Sequence, residues 1–147
     1  MIRKQRLITI INRSEYDIDE NAILDFTKFI YKKMGIDEGK ELNILFDNNE
    51  KLRQLNFTYR KKNQPTDVLS FYGYDGNILG DIAISIETVI SESSKMSKNV
   101  DEHILFLVAH GCLHLLGFEH NTMDEYNKML TLQENLLKEW KYEISKK

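Results

Sequence analysis

Three histidines within eleven residues, with a glycine between the last two, constrain this chain more than any other feature of its sequence. The segment from His110 to His120 reads HGCLHLLGFEH. His110 and His114 are separated by one helical turn, so on a helix their side chains share a face. Gly117 can adopt the positive φ that ends a helix and turns the chain back, which returns His120 to the same side. The spacing therefore predicts three imidazoles around one point.

Such a cluster has the donor set of a metal site. Three protein ligands leave the fourth tetrahedral position open for water, as in catalytic rather than closed structural zinc sites. We predict one Zn²⁺ per chain on His110, His114 and His120, although imidazole also accepts other divalent transition metals. Cys112 should point to the opposite helix face and pack in the core. His103 is predicted to be a surface residue at the start of the helix and not a ligand.

The spacing also matches the metal-binding segment of metzincin proteases, with one difference. Those enzymes carry glutamate directly after the first histidine, as the general base, whereas this chain has Gly111 there. A peptidase with this sequence would therefore have the metal ligands but lack the general base. Zinc could still lower the pKa of a bound water, so a zinc-dependent hydrolase of another class remains an alternative. The sequence identifies no general base.

Hydrophobic periodicity and turn signals predict an α+β fold with four strands and about five helices. The strands are predicted at 7–11, 42–46, 66–72 and 78–84, and the helices at 18–34, 49–57, 87–96, 99–116 and 122–140. Asp75-Gly76 predicts a hairpin between the last two strands.

Two of the predicted helices have informative apolar patterns. The stretch 104–109 is apolar on every side, which predicts a buried central helix. The last helix should pack through an apolar face formed by Met129, Leu132, Leu136 and Trp140.

Length and composition indicate a single domain over residues 1–147, with 41% apolar and 29% charged residues. The formal net charge of -3 argues against a uniformly basic protein that coats nucleic acid. A lone cysteine indicates a reducing compartment, and neither a signal peptide nor an apolar run of about 20 residues is evident. We therefore expect a cytoplasmic protein with no membrane association.

The histidine segment closely resembles the signature of the YbeY family of endoribonucleases, which usually reads H-G-x-L-H-L-x-G-[FY]-D-H. Two further blocks are similar to motifs of that family: residues 55–71, which include PTDVLSF, and residues 79–85, LGDIAIS. Glu119 departs from the family's usual aspartate, next to His120. The resemblance implies a small mixed four-stranded sheet packed with helices, one of them a zincin-like metal helix.

The resemblance also implies a function. It points to a metal-dependent, single-strand-specific endoribonuclease that acts in ribosomal RNA processing, at the 3′ end of the small-subunit RNA, and in ribosome quality control; with the predicted zinc site, this would be a zinc-dependent endoribonuclease. The implied partners are single-stranded or ribosomal RNA, the ribosome and ribosome-associated factors. A ribosome-assembly binding factor with a structural zinc is a further alternative.

A basic stretch between residues 51 and 66 contains no acidic residue, and it could hold an RNA backbone or be a solvated basic loop. We predict RNA contacts for Arg53, Lys61 and Lys62, and base stacking for an aromatic residue, Phe57 or Tyr59. The resemblance implies a catalytic role for Arg60, which would stabilise charge on the phosphate.

Two aspartates near the predicted strands have two possible roles. Asp67 and Asp81 could orient a ligand imidazole or could cap turns beside the strands.

Overall fold

A computed structural model describes residues 7–60, 67–73 and 75–147, and of Arg60 it describes the backbone alone. The described residues form nine elements in the order βαβαββααα. The strands are β1 (Ile8–Asn12), β2 (Glu41–Asp47), β3 (Val68–Tyr72) and β4 (Ile78–Ser85). The helices are α1 (Glu20–Met34), α2 (Asn49–Arg60), α3 (Ile86–Lys95), α4 (Val100–Leu115) and α5 (Met123–Ser145).

The four strands form one mixed sheet in the order β1-β2-β4-β3. β1, β2 and β4 run parallel, and β3 runs antiparallel to β4 at the sheet edge. The predicted β3–β4 hairpin is therefore confirmed. In its turn, the Asp75 carboxylate accepts a hydrogen bond from the backbone N–H of Asn77 at 2.9 Å.

Alternation along the strands divides the sheet into two apolar faces. Leu42, Ile44 and Phe46 of β2 point into the main core, which the sheet shares with α1, α3, α4 and α5. Leu45 of β2 points the other way, into a smaller cluster that packs under α2 around Leu52. The sheet is thus covered by helices on both sides, and α4 crosses the larger core.

Side-chain caps fix several helix ends at the predicted positions. The Asp19 carboxylate accepts from the N–H of Ala22 at the start of α1, and Gly35 ends that helix in the left-handed region. The Asn99 side chain accepts from the N–H of Glu102 at 3.1 Å and begins α4. These local signals explain why the sequence predicted the helix boundaries closely.

α4 is the buried central helix that its sequence predicted. It packs against the helices α1, α3 and α5 and against the strands β3 and β4. Cys112 is fully buried, as expected, and burial raises the pKa of its thiol to about 12. The cysteine is therefore a core residue that stays protonated at neutral pH.

His103 is not the surface residue that the sequence suggested. It is buried, and its Nε2 lies 3.0 Å from Oε1 of Glu92 on α3. The prediction was wrong because α3 packs over the first turns of α4, and that contact joins segments whose pairing no local pattern reveals.

The α+β prediction with four strands and five helices is confirmed, and the remaining differences are at element ends. α5 continues to Ser145, beyond the predicted end at Trp140. Thr66, the predicted first residue of the third strand, lies outside the described residues. Within the described part of the chain, no helix is long and apolar enough to cross a membrane.

Candidate metal centre

The three histidines of the sequence motif meet at the C-terminal end of α4. His110 and His114 occupy its last two turns, one above the other. Gly117 follows with φ +96°, and its N–H donates to the carbonyl of His114 at 2.9 Å. The positive φ turns the chain back toward the helix, as the glycine predicted, and brings His120 beside the other two rings.

The imidazole nitrogens converge closely enough to share one ion. Nε2 of His110 and Nε2 of His114 are 3.1 Å apart, and one nitrogen of each of the three rings lies within 4.8 Å of the others. Tetrahedral zinc with Zn–N bonds of about 2.0–2.1 Å separates two ligating nitrogens by about 3.3–3.4 Å. The donor set and its spacing therefore fit a transition-metal ion, and the cluster does not include Glu119.

The short loop that carries His120 is fixed at both ends. Its first end is the Gly117 turn, where the N–H of Phe118 also donates to the carbonyl of Leu113 at 3.0 Å. Its second end is the start of α5, where Thr122 and Glu125 form a reciprocal capping box. An exposed histidine on a loop is thus held at a defined place, since both flanking hydrogen-bond networks limit its movement.

His110 is half-buried in the cluster and has a polar partner on α5. Its Nδ1 lies 3.1 Å from Oε1 of Gln133, a buried side chain of α5. Burial has the largest effect and lowers the pKa of His110. The hydrogen bond with Gln133 and the charge of Asp67 raise that pKa, whereas His120 lowers it. Because burial is the largest influence, the ring favours the neutral form that metal ligation requires.

Gly111 faces the sheet, which explains why the position has no side chain. A Cβ built there would lie 2.8 to 3.0 Å from three side-chain carbons of Ile82, which is buried in β4. The hydroxyl of Ser70 on β3 also approaches the Gly111 carbonyl at 3.3 Å. A glutamate here would be driven into the core, so this helix cannot carry a metzincin-type base at that position.

We expect Gly111→Val to lower the free energy of unfolding by about 1–3 kcal/mol, because added methyl groups overpack a closed interface. Urea denaturation followed by circular dichroism measures the change. Gly76→Ala is the matched control, since a Cβ at Gly76 would meet nothing within 4 Å. Equal stability losses in the two variants would contradict the close packing of α4 on β4.

The two aspartates considered as partners of the ligand rings have other contacts. The Asp67 carboxylate accepts from the N–H of Val68 at 2.8 Å, at the start of β3. The Asp81 carboxylate is exposed on β4 and accepts from the side-chain amide of Asn43 at 2.9 Å. Gln133 contacts the His110 ring instead, and the sequence did not predict this contact. The sequence did contain an indication: Gln133 is a polar residue at helical spacing between Met129 and Leu136, on the face of α5 that packs against the core.

The predicted basic stretch is described only in part. Arg53 lies on α2, where its guanidinium contacts the carboxylate of Glu50 at 2.6 Å. The Arg60 side chain, Lys61 and Lys62 lie outside the described residues. The predicted RNA contact of Arg53 therefore has to compete with an ion pair on the same helix.

Two exposed aromatic residues lie near the C-terminal end of α2. Phe57 is 53% and Tyr59 66% exposed. The Tyr59 ring lies edge-on to Phe71 of β3, with ring centroids 5.2 Å apart. β3 also packs beside α4, so these rings and the histidine cluster belong to neighbouring elements.

A cavity of about 420 Å³ adjoins the cluster. His110 and His120 line it together with Asp67 at the start of β3 and with two aromatic residues, Phe106 and Tyr126. A polar molecule that reached the three imidazoles would therefore have room for an adjacent flat group.

Comparison with known protein families gives one consistent match. A family model described as Endoribonuclease YbeY matches residues 9–141. A protein of Aster yellows witches'-broom phytoplasma with the name Endoribonuclease YbeY is 39% identical over 139 residues, which cover 89% of this chain and 92% of the relative. A protein of the same name from Syntrophomonas wolfei is 32% identical, over 84% of this chain and 88% of its own length.

A solved structure with a similar fold comes from Thermotoga maritima. Its solution structure superposes with a TM-score of 0.62 at 22% sequence identity, covering 95% of each chain. At that identity the likeness concerns the fold, and it agrees with the arrangement of helices around a small mixed sheet.

Proposed function

The chain belongs to the YbeY family of endoribonucleases, and on that premise we propose that it is a zinc-dependent enzyme that cleaves single-stranded RNA. The observation that carries the proposal is the convergence of three imidazoles, two of them with Nε2 atoms 3.1 Å apart. His110, His114 and His120 are the proposed ligands of one Zn²⁺, and residues 1–147 are proposed to act as one domain.

The proposed metal would supply one kind of chemistry: a Lewis acid that polarises a phosphate oxygen and makes a nearby water more acidic. The chain's own residues do the rest. The three histidines present their ring nitrogens from a helix and a fixed loop, so little reorganisation is needed. Arg60, at the end of α2, is proposed to place its guanidinium on the phosphate, where negative charge grows during cleavage.

Binding of the substrate strand is proposed to involve the end of α2 and the cavity beside the cluster. A single strand has unstacked bases, and the exposed ring of Tyr59 offers a surface on which one can stack. Arg53, Lys61 and Lys62 would contact phosphates along the strand. The cavity lined by Phe106 and Tyr126 has room for a base next to the scissile phosphate.

Ribosomal RNA is the proposed natural substrate, in particular the 3′ end of the small-subunit RNA, with the ribosome and ribosome-associated factors as partners. A contribution to ribosome quality control belongs to the same proposal. The site does not favour a peptidase, because Gly111 is packed against Ile82 and leaves no space for the usual glutamate base.

An assay with defined RNAs tests the proposal. The zinc-loaded protein should cut a labelled single-stranded RNA from the small-subunit 3′ region internally, and should leave the same sequence intact in a duplex. A chelator should stop the reaction, and added zinc should restore it. Failure of the zinc-loaded protein to cut any single-stranded RNA would contradict the proposed activity.

Loss of the exposed ring should weaken RNA binding. We expect Tyr59→Ala to raise the Kd for single-stranded RNA roughly 5- to 150-fold, the equivalent of about 1–3 kcal/mol for one stacked base. Tyr59→Phe should bind like the wild type, because it keeps the ring. Tyr142→Ala, which removes a 59% exposed tyrosine from α5, is the matched control. Equal Kd values for Tyr59→Ala and the control would exclude stacking on Tyr59.

A further inference from the structure

A buried side-chain amide on α5, that of Gln133, contacts the histidine cluster on the side that faces α5. Gln133 is 3% exposed and lies on the face of α5 that packs with Met129, Leu136 and Trp140. A primary amide in such surroundings is costly unless its hydrogen-bonding groups find partners. Gln133 has two, both on α4: the ring of His110 and the backbone carbonyl of Phe106.

The second partner fixes the direction of the amide. The Gln133 Nε2 donates to the Phe106 carbonyl at 3.3 Å, and a carbonyl can only accept. The amide oxygen must therefore face His110, whose Nδ1 lies 3.1 Å away. In the opposite orientation, two oxygens that can only accept would face each other in a buried place. Because the amide oxygen also only accepts, His110 Nδ1 has to carry the hydrogen.

From this geometry we infer that Gln133 is a positioning residue, which holds neutral His110 in the Nδ1–H tautomer and leaves the Nε2 lone pair for the metal. The Nε2 of His114 lies 3.1 Å from that same atom, so the fixed tautomer points the lone pair into the cluster. The inference rests on the proposed metal site for its functional meaning, but the tautomer itself does not require a metal.

The choice of an amide has a chemical consequence. Ligand histidines usually donate their second ring N–H to a carboxylate, a carbonyl or water. The amide oxygen of Gln133 is a neutral acceptor for the His110 ring, and the amide nitrogen of the same side chain donates to the α4 backbone. The ring is therefore oriented without an added negative charge beside the metal, and its direction depends on the packing of α5 against α4.

Two variants separate positioning from packing. Gln133→Leu fills a similar volume but cannot accept from Nδ1. Gln133→Glu can still accept from Nδ1, but it loses the bond to Phe106 and turns a carboxylate oxygen toward that carbonyl. Leu136→Val is the matched packing control, because Leu136 is buried on the same face of α5 as Gln133 but has no polar group to offer His110. Folding of each variant is checked by circular dichroism.

The first measurement uses the metal-free protein. Two-bond ¹⁵N–¹H NMR spectra, recorded where the ring is neutral, report which His110 nitrogen carries hydrogen. We expect the Nδ1–H tautomer in the wild type, in Gln133→Glu and in Leu136→Val, and a population of the Nε2–H tautomer in Gln133→Leu. An unchanged tautomer in Gln133→Leu, or the Nε2–H tautomer in the wild type, would overturn the inference.

The second measurement is zinc affinity by competition with a chromogenic chelator. We expect Gln133→Leu to bind zinc about 10- to 100-fold more weakly than the wild type, and Gln133→Glu and Leu136→Val to stay within a few-fold of it. Equal weakening in Gln133→Leu and Leu136→Val would show that packing alone matters and would overturn the positioning role. Absence of zinc binding in the wild type would refute the proposed metal site, while the tautomer result would still decide the role of Gln133.

Discussion

His114→Ala should remove the bound metal and reduce RNA cleavage by at least about a thousandfold. His114 is half-buried near the end of α4, and its Nε2 lies 3.1 Å from that of His110. Without it, two imidazoles remain, and a metal contribution of several kcal/mol to the transition state is lost. Because alanine favours helices, α4 should stay folded. Elemental analysis and a single-stranded RNA cleavage assay measure both effects.

Glu119→Gln is the matched control for that experiment. Glu119 is an exposed carboxylate next to His120 in sequence, and its side chain accepts from the amide of Asn121 at 2.7 Å. The three-imidazole assignment predicts that this variant keeps its metal and its cleavage rate. Loss of metal from Glu119→Gln, or full metal content in a folded His114→Ala protein, would contradict the assignment of the ligands.

Arg60→Ala should lower the rate of RNA cleavage about 100- to 1,000-fold and leave the metal content unchanged. The physical reason is that a cation aimed at the phosphate stabilises charge that grows during cleavage. Arg60→Lys should recover only part of the rate, because an ammonium keeps the charge but loses the planar two-point contact. Single-turnover cleavage by metal-loaded proteins measures the loss.

Lys32→Ala provides the comparison for Arg60, since it removes one positive charge from an exposed position on α1. Its rate should equal that of the wild type. A rate for Arg60→Ala that matches Lys32→Ala would exclude the arginine from catalysis. A loss of metal in Arg60→Ala would instead indicate that the residue supports the metal site rather than the phosphate.

The parts of the molecule that the sequence predicted well are those governed by local physics. Asp75-Gly76 predicted the hairpin, hydrophobic periodicity predicted the span of α1, and the histidine spacing predicted the cluster. Each depends on residues within a few positions of one another, through turn conformation or helical periodicity. Chain direction at Gly117 was predictable for the same reason, and the structure confirms it with φ +96°.

The features that the sequence did not predict depend on contacts between distant elements. His103 was expected at the surface, but α3 covers it, and its ring meets Glu92. Leu132 packs half-buried against the core, as expected, but the sequence did not predict that Gln133 beside it would be buried on the same helix. Hydrophobicity favours leucine in a core, so only the hydrogen bonds to α4 explain the buried amide.

Only the three-dimensional structure explains why position 111 is a glycine. Its sequence context showed that a metzincin-type base was missing, but not why. The close approach of β4 supplies the reason, because Ile82 fills the space that a side chain at this position would need. Arg53 is a different case, because its partner Glu50 lies only three residues earlier on the same helix, just before the basic stretch.

A zinc titration should show whether three histidines hold one metal ion on which RNA cleavage depends. Metal-free protein is titrated with zinc while cleavage of a labelled single-stranded RNA is followed. We predict that the cleavage rate rises in proportion to bound zinc, levels off at one ion per chain and stays at background in His114→Ala. Cleavage by metal-free protein at the full rate, or equal cleavage by wild type and His114→Ala, would show that the three histidines do not hold a metal needed for cleavage.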